Sequence, residues 1–224
     1  MTRARLIDHT VPSAPRGVVL VLHGGAARGR TMPVSAAQLS VLRMVPIAAR
    51  VASRTKGEVA VLRLLNSHRG WDAGTTPVDD VDWALGQAGE RFGADVPVCL
   101  VGHSLGGRAA LLAANRPQVR SAVALAPWVY PAEGRIDLSG RRVLVVHGDQ
   151  DRVASPKNAA DVARDLARTA DVGFVTVEGG SHAMLRHHGV FDGLAADFAA
   201  TTLLGSEPSP TIARVLAGER WLAV

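Results

Sequence analysis

A serine between glycines is the first residue of this sequence with a clear chemical use. Residues 102–107 read Gly-His-Ser-Leu-Gly-Gly, which places Ser104 at the centre of a G-x-S-x-G pattern. The apolar run Val98–Val101 precedes the pattern, and the strong helix-forming segment Arg108–Ala114 follows it. A serine on a sharp turn between a strand and a helix projects its hydroxyl above the sheet edge, where it can act as a nucleophile. A glycine-rich turn with a capping serine is the alternative interpretation.

An acid and a base that could activate this serine lie further along the chain. Val143–Val146 runs into His-Gly-Asp-Gln-Asp, and we predict Asp151 as the acid because it reaches further from the strand end. Asp149 is predicted to shape the turn by bonding backbone amides, and the alternative that both aspartates only form the turn stays open. His182 follows the apolar run Val172–Val177 on a glycine-loosened loop. From there its Nε2 could take the serine proton while the aspartate holds Nδ1–H.

Small residues after an early apolar run could bind the negative charge that develops during acyl transfer. Val18–Leu22 leads into His-Gly-Gly at 23–25, where a bulky side chain would block the reaction centre. We predict the backbone N–H groups of Gly25 and Leu105 as the donors of an oxyanion hole. The helix predicted after Ser104 adds the positive end of its dipole near the same position. A tight turn without a ligand is the alternative.

The elements that must position these residues alternate short apolar runs with helical patterns. The runs are apolar nearly throughout, as expected for strands covered on both faces, and the stretches between them are long enough for crossover helices. This order predicts an α/β fold with a mostly parallel central sheet of about six or seven strands and helices on both faces. The runs are Val18–Leu22, Val59–Leu64, Val98–Val101, Ala122–Leu125, Val143–Val146 and Val172–Val177.

Helix starts and the C-terminal tail divide the rest of the chain. Thr76-Pro77 and Ser155-Pro156 each read as an N-cap followed by a first-turn proline. Val34 to about Ser53 is predicted as a helix that Pro46 kinks or divides. We predict one domain over residues 1–204 and a tail over 205–224 that begins like a linker and holds a short helix. The tail packs on its own domain or crosses to a partner subunit, so the sequence leaves open whether the protein forms a homodimer.

Composition excludes several classes of protein. The 224 residues are 47% hydrophobic and 20% charged, which is typical of a globular domain that buries a core without disulfides or metals. Cys99 is the single cysteine, so no internal disulfide can form and a cytoplasmic location is expected. No stretch approaches the roughly 18 apolar residues of a membrane span. The net charge of +5 comes from scattered arginines and aromatic residues make up 4%, so no nucleic-acid partner is predicted.

The chain resembles the α/β-hydrolase superfamily in four segments, which span most of its length in the family's order. The resemblance implies Ser104 as nucleophile, His182 as general base and Asp151 as the residue that orients the base. It is closest in character to small, compact bacterial esterases, carboxylesterases and dienelactone-hydrolase-like proteins. The segments are HGG at 23–25, GHSLGG at 102–107, HGDQDRV at 147–153 and GGSHAM at 179–184.

Many relatives insert a cap domain before the strand that bears the acid, and the corresponding interval is short here. Pro127–Arg142 has 16 residues, too few for a helical cap, so we expect an α/β-hydrolase fold with an open site. Trp128 and Tyr130 lie in this interval and could form an acyl-binding wall or anchor the loop, and Trp71 has the same two interpretations. His103, beside the serine, is a further candidate for substrate binding.

These residues predict a serine hydrolase that cleaves carboxylic esters or thioesters of small to medium acyl groups through an acyl-enzyme on Ser104. The expected partner is a small-molecule ester or thioester, and no cofactor is implied. No metal is predicted, because His187 and His188 lack the further ligands that a zinc site needs. A perhydrolase, lactonase or amidase on the same residues is one alternative. A non-catalytic ligand-binding protein with the same fold is the alternative from another class.

Overall fold

Buried strands that pair in parallel form the centre of the fold. The computed structural model describes residues 3–25, 32–71 and 76–224, and these contain eight strands. They are β1 (Arg5–Thr10), β2 (Val18–Leu22), β3 (Ala60–Leu65), β4 (Val98–His103), β5 (Val119–Leu125), β6 (Arg142–Gly148), β7 (Asp171–Val177) and β8 (Trp221–Ala223). All eight join one sheet in the order β1-β3-β2-β4-β5-β6-β7-β8, and every pairing except β1 with β3 is parallel.

The predicted mostly parallel sheet is confirmed, and two edge strands extend it to eight. All six predicted runs are strands, whereas β1 and β8 were not predicted. The residues of β1 are only partly buried and β8 is three residues long, so neither has the continuous apolar run that marked the other strands. These two segments are strands because they pair with a neighbouring strand, β1 with β3 and β8 with β7.

Helices cover both faces of the sheet, as predicted. They are α1 (Leu39–Leu42), α2 (Met44–Arg54), α3 (Thr76–Phe92), α4 (Leu105–Leu112), α5 (Pro156–Leu166), α6 (His188–Leu204), α7 (Pro210–Leu216) and a short 3-10 helix (Pro131–Arg135). Side chains from α3, α4 and α5 share one apolar core, and those from α2, α6 and α7 share another. Two cores arise because successive residues of a buried strand point to opposite faces.

The start of α5 and the break between α1 and α2 each have a local cause. Ser155 caps α5, because its hydroxyl accepts the N–H of Asn158 at 3.2 Å, and Pro156 follows in the first turn as predicted. The helix predicted from Val34 begins later, and it is divided at Arg43 rather than at Pro46. Pro46 lies in the first turn of α2, where a missing N–H costs no intrahelical hydrogen bond.

The connection from β5 to β6 leaves the carboxyl edge of the sheet without an inserted domain. In the described ranges, the 3-10 helix is the only helix between these two strands. After α6, Gly205 adopts a left-handed conformation (φ 68°), α7 buries Ile212 and β8 joins the sheet. None of the helices in the described part of the chain is long and apolar enough to cross a membrane.

Candidate active site

Ser104 occupies the tight turn between β4 and α4. Its backbone has φ 57° and ψ −118°, a conformation that non-glycine residues rarely adopt. Such strain persists only where the surroundings enforce it, and it concentrates at functional sites. The turn joins the buried strand β4 directly to α4, which is the strand–serine–helix context that the G-x-S-x-G pattern predicted.

Two glycines allow the backbones around this turn to approach each other. A Cβ on Gly102 would overlap the carbonyl of Gly106, and a Cβ on Gly106 would lie only 2.6 Å from the carbonyl oxygen of His23. The first turn of α4 therefore packs directly against the end of β2. This contact brings the His-Gly-Gly turn after β2 beside the serine.

A chain of hydrogen bonds joins three side chains that are distant in sequence. The Ser104 hydroxyl donates to Nε2 of His182 at 3.0 Å, and Nδ1–H of His182 donates to Oδ2 of Asp151 at 2.8 Å. Each residue follows a different strand (β4, β6 and β7), and the carboxyl ends of parallel strands meet at one edge of the sheet. The structure thus brings together the three side chains predicted as nucleophile, base and acid.

The two aspartates of the turn after β6 have different partners. Asp151 is the one bonded to His182, whereas Oδ1 of Asp149 accepts the N–H of Gly179 at 2.8 Å. Burial raises the pKa of the Asp151 carboxyl, but four hydrogen bonds outweigh it and hold that pKa well below its usual 3.8. These bonds come from His147, His182 and two backbone N–H groups. Asp151 is therefore ionised at neutral pH.

The loop that carries His182 is held from both sides. Nε2–H of His103 donates to the His182 carbonyl at 2.9 Å, and the guanidinium of Arg43 donates to the Ala183 carbonyl at 3.0 Å. Arg43 in turn forms a buried ion pair with Asp192 of α6 at 2.7 Å. His103 is predicted as a substrate contact. Here, however, it is only 6% exposed and bonds the backbone carbonyl of His182.

Buried histidines make the stability of this protein sensitive to mild acid. Burial lowers the pKa of His103 from 6.5 to about 4, and that of His23 in the same direction. The folded state then binds fewer protons than the unfolded chain. The contribution of neutral His103 to the free energy of unfolding is therefore complete above pH 6.5 and is lost as pH falls toward 4. We expect His103→Gln to reduce the drop in unfolding free energy between pH 7 and 5 by about 2 kcal/mol. Urea denaturation at both pH values measures this, with exposed His188→Gln as the control. Equal drops in wild type and His103→Gln would contradict it.

The residues predicted as oxyanion donors, Gly25 and Leu105, adjoin each other next to the serine. Leu105 begins α4, so its N–H is one of the four that a helix leaves without an intrahelical acceptor. A Cβ on Gly24 would lie 3.2 Å from Cβ of Ser104, and one on Gly25 would lie 3.4 Å from the Leu105 side chain. The His-Gly-Gly turn therefore adjoins both residues of the serine turn. The following residues, 26–30, which the sequence places in the same turn, lie outside the described residues.

His23 orients this turn, a role that sequence analysis did not assign. Its Nδ1–H donates to the Gly24 carbonyl at 2.6 Å and its Nε2 accepts the N–H of Asn66 at 3.1 Å. Both ring nitrogens are used, and the residue is 4% exposed. The sequence does contain a signal for this role of His23. A polar residue at the end of a fully buried strand needs hydrogen-bond partners nearby.

The three predicted aromatic contacts cluster around Arg108, a residue that sequence analysis did not select. The guanidinium carbon of Arg108 lies 3.9 Å from the Trp71 ring centre and 5.0 Å from that of Tyr130. The Trp128 and Tyr130 rings pack edge to face at 5.0 Å, and the backbone N–H of Trp128 donates to the Ser104 carbonyl at 3.1 Å. Arg108 is also paired with Glu133. These contacts anchor the loop after β5, and the backbone bond of Trp128 ties that loop to the serine turn.

Comparison with known proteins places this arrangement in a family. A serine turn between strand and helix, with an acid and a histidine after later parallel strands, is the layout of α/β serine hydrolases. A family model described as the alpha/beta hydrolase family matches residues 90–202. This chain belongs to the alpha/beta hydrolase family. No curated protein matches the chain in sequence.

Solved structures share the fold across nearly the whole chain. Est1E from Butyrivibrio proteoclasticus with bound ferulic acid superposes with a TM-score of 0.66 at 16% identity, covering 89% of this chain and 95% of that one. XC6422 from Xanthomonas campestris, an α/β serine hydrolase without a lid, gives 0.63 at 20% identity, covering 93% and 98%. An α/β serine hydrolase homologue from Coxiella burnetii gives 0.66 at 18% identity, covering 86% and 90%. The similarity supports the capless α/β-hydrolase fold.

Proposed function

We propose that this protein is a serine esterase that hydrolyses carboxylic esters or thioesters of small to medium acyl groups. The observation that carries the proposal is the continuous hydrogen-bonded chain from Ser104 through His182 to Asp151. A hydroxyl is a weak nucleophile at neutral pH, and a base held in the correct tautomer by an ionised acid is the arrangement that activates it. The strained turn that exposes Ser104 supports the same role.

The first half of the reaction forms an acyl-enzyme. The Ser104 oxygen attacks the carbonyl carbon of the ester as its proton moves to Nε2 of His182. The carbonyl oxygen becomes an oxyanion and accepts hydrogen bonds from the N–H groups of Gly25 and Leu105. The imidazolium of His182, stabilised by the charge of Asp151, then protonates the leaving alcohol or thiol as the bond to the acyl carbon breaks.

The second half releases the acid and restores the enzyme. Water takes the place of the leaving group, gives its proton to Nε2 of His182 and attacks the acyl carbon. The second oxyanion collapses, and the bond to Ser104 breaks as His182 returns the proton to the serine oxygen. One ester and one water become one carboxylic acid and one alcohol. No step requires a cofactor.

The wall beside the serine suits an apolar or aromatic substituent. The backbone N–H of Trp128 bonds the Ser104 carbonyl, the Tyr130 ring packs on the Trp128 ring, and about half of the Tyr130 surface is exposed. Aromatic walls with few polar groups are typical of small-molecule pockets. Ferulic acid, an aromatic acid, is the ligand in the Est1E structure, which supports including aromatic esters among the substrates tested. Values of kcat/KM for matched esters, thioesters, lactones and amides separate the esterase from its alternatives.

A fluorophosphonate probe tests the proposed nucleophile directly. We expect one phosphonyl group per chain, on the peptide that contains Ser104, because only a serine deprotonated by a neighbouring base attacks phosphorus at a useful rate. Intact-protein and peptide mass spectrometry measure the number and position of the adducts. Heat-denatured protein is the control and should remain unlabelled. Folded protein that stays unlabelled, or a label on another residue, would argue against a serine hydrolase.

A further inference from the structure

The Asp151 carboxylate accepts more hydrogen bonds than its role beside His182 requires. Its Oδ2 accepts from Nδ1–H of His182 at 2.8 Å and from Nε2–H of His147 at 3.0 Å. Its Oδ1 accepts the backbone N–H groups of Val153 and Ala154 at 2.8 and 2.9 Å. A carboxylate offers about four lone-pair sites, so these donors use its full capacity. The proposed reaction gives His147 no step.

His147 is placed where it can act only through Asp151. Its side chain is fully buried at the carboxyl end of β6, where its backbone pairs with Thr176 of β7. The carboxylate only accepts, so the ring proton shared with Asp151 is on Nε2. Nδ1 is buried without a hydrogen-bond partner, and a second proton there would meet no acceptor among the described residues. The ring is therefore a neutral donor that no substrate can reach.

The two backbone hydrogen bonds hold only one oxygen of the Asp151 carboxylate. Both N–H groups bond Oδ1, so combined changes in χ1 and χ2 could still rotate the carboxylate about that oxygen and carry Oδ2 away from His182. Asp151 itself lies in a turn beyond β6, whereas His147 is part of the paired strand. A bond from the strand to Oδ2 removes this rotation and ties the acid to the centre of the sheet.

A neutral donor suits this position better than a cation would. In the proposed reaction the imidazolium of His182 is stabilised by the negative charge of Asp151. An arginine or lysine at position 147 could also orient the carboxylate, but its charge would cancel the one that His182 needs. The imidazole of His147 adds a hydrogen bond that favours the ionised carboxyl against the cost of burial and leaves the net charge of the pair at −1.

We propose that His147 is a positioning residue that locks the Asp151 carboxylate in the orientation required by His182. The functional unit is then a relay of four side chains, in which two imidazoles share one carboxylate oxygen. This inference rests on the serine-hydrolase function proposed above and deepens it.

Two substitutions of His147 separate positioning from packing. His147→Leu removes the donor, whereas His147→Gln keeps an N–H near the position of Nε2. We expect His147→Leu to lower kcat for p-nitrophenyl acetate about 10- to 100-fold with KM changed less than about threefold, because a hydrogen bond to a charged group is lost. His147→Gln should recover most of the loss. Equal losses in the two variants, or wild-type kcat in His147→Leu, would overturn the proposal.

A double-mutant cycle tests whether the effect passes through Asp151. In an Asp151→Asn background the carboxylate is already absent, so adding His147→Leu should change kcat by less than about threefold. A further loss of about tenfold or more would mean that His147 acts on the site by another route. That result would overturn the assignment even if the single variant is impaired.

Histidine-selective ¹⁵N NMR reports on the same contact in the resting wild-type protein. We expect the His147 ring as the neutral Nε2–H tautomer at pH 7, with a proton signal that moves in Asp151→Asn. The Nδ1–H tautomer, a doubly protonated ring or an unmoved signal would overturn the inference, even if the leucine variant fails to fold. A wild-type protein with the expected signal but no esterase activity and no fluorophosphonate adduct would contradict the proposed function alone.

Discussion

Replacing Ser104 by alanine should lower kcat for p-nitrophenyl ester hydrolysis by at least roughly 10⁴-fold. In the proposed mechanism the substitution removes the attacking oxygen, so that only direct attack by water on the bound ester remains. Ser104→Ala leaves the backbone turn unchanged, so the thermal midpoint of unfolding should stay close to that of wild type. Steady-state kinetics on protein purified free of contaminating esterases measures kcat, and calorimetry measures the thermal midpoint of unfolding.

Ser181→Ala is the matched control for this substitution. Ser181 is exposed and precedes His182 in the same loop, so it tests whether removing any hydroxyl near the site is harmful. We expect its kcat to stay within about threefold of wild type, since surface substitutions away from special contacts are nearly neutral. Retention of wild-type activity in Ser104→Ala would exclude the acyl-enzyme mechanism, and an equal loss in both variants would leave Ser104 without a distinct role.

Patterns along the chain were sufficient to predict the parts of the molecule that depend on local sequence. Continuous apolar runs marked the six central strands, and the glycines around Ser104 marked the strand–turn–helix junction. Both signals are local, because a strand buried on two faces and a turn with backbone contacts each constrain the residues within it. The edge strands β1 and β8 had no such signal, since their pairing with β3 and β7 depends on distant segments.

Contacts across long sequence distances account for what sequence analysis left out of the site. Arg108 and Glu133 are 25 positions apart, and no periodicity relates them, yet they form an ion pair beside the rings of Trp71, Trp128 and Tyr130. His103, predicted as a substrate contact, is turned toward the backbone of residue 182, which lies 79 positions away. His147 did carry a usable signal. A histidine at the end of a buried strand, four positions before an aspartate, must find an acceptor, and Asp151 is the nearest one.

Asp151→Asn should produce the second large loss, about 10⁴-fold in kcat, for a reason specific to this site. Among the described residues, the four groups that bond the carboxylate are all donors, and two of them are backbone N–H groups that cannot rotate away. The asparagine oxygen will therefore stay on the N–H groups of Val153 and Ala154, and its NH₂ will face the histidines. His182 can then only accept at Nδ1, which moves its own proton to Nε2 and leaves no lone pair for the proton of Ser104.

Asp149→Asn, two residues earlier in the same turn, is the matched control for Asp151→Asn. In the described part of the chain the Asp149 carboxylate accepts one hydrogen bond, from the N–H of Gly179, and an amide oxygen can accept that bond as well as a carboxylate oxygen does. We expect kcat within about threefold of wild type for Asp149→Asn, measured with the same ester at the same pH. If Asp149→Asn instead caused the large loss and Asp151→Asn did not, the acid would be misassigned. A loss confined to Asp151→Asn would tie activity to the tautomer of His182, because the two variants differ in which hydrogen bonds the amide can make.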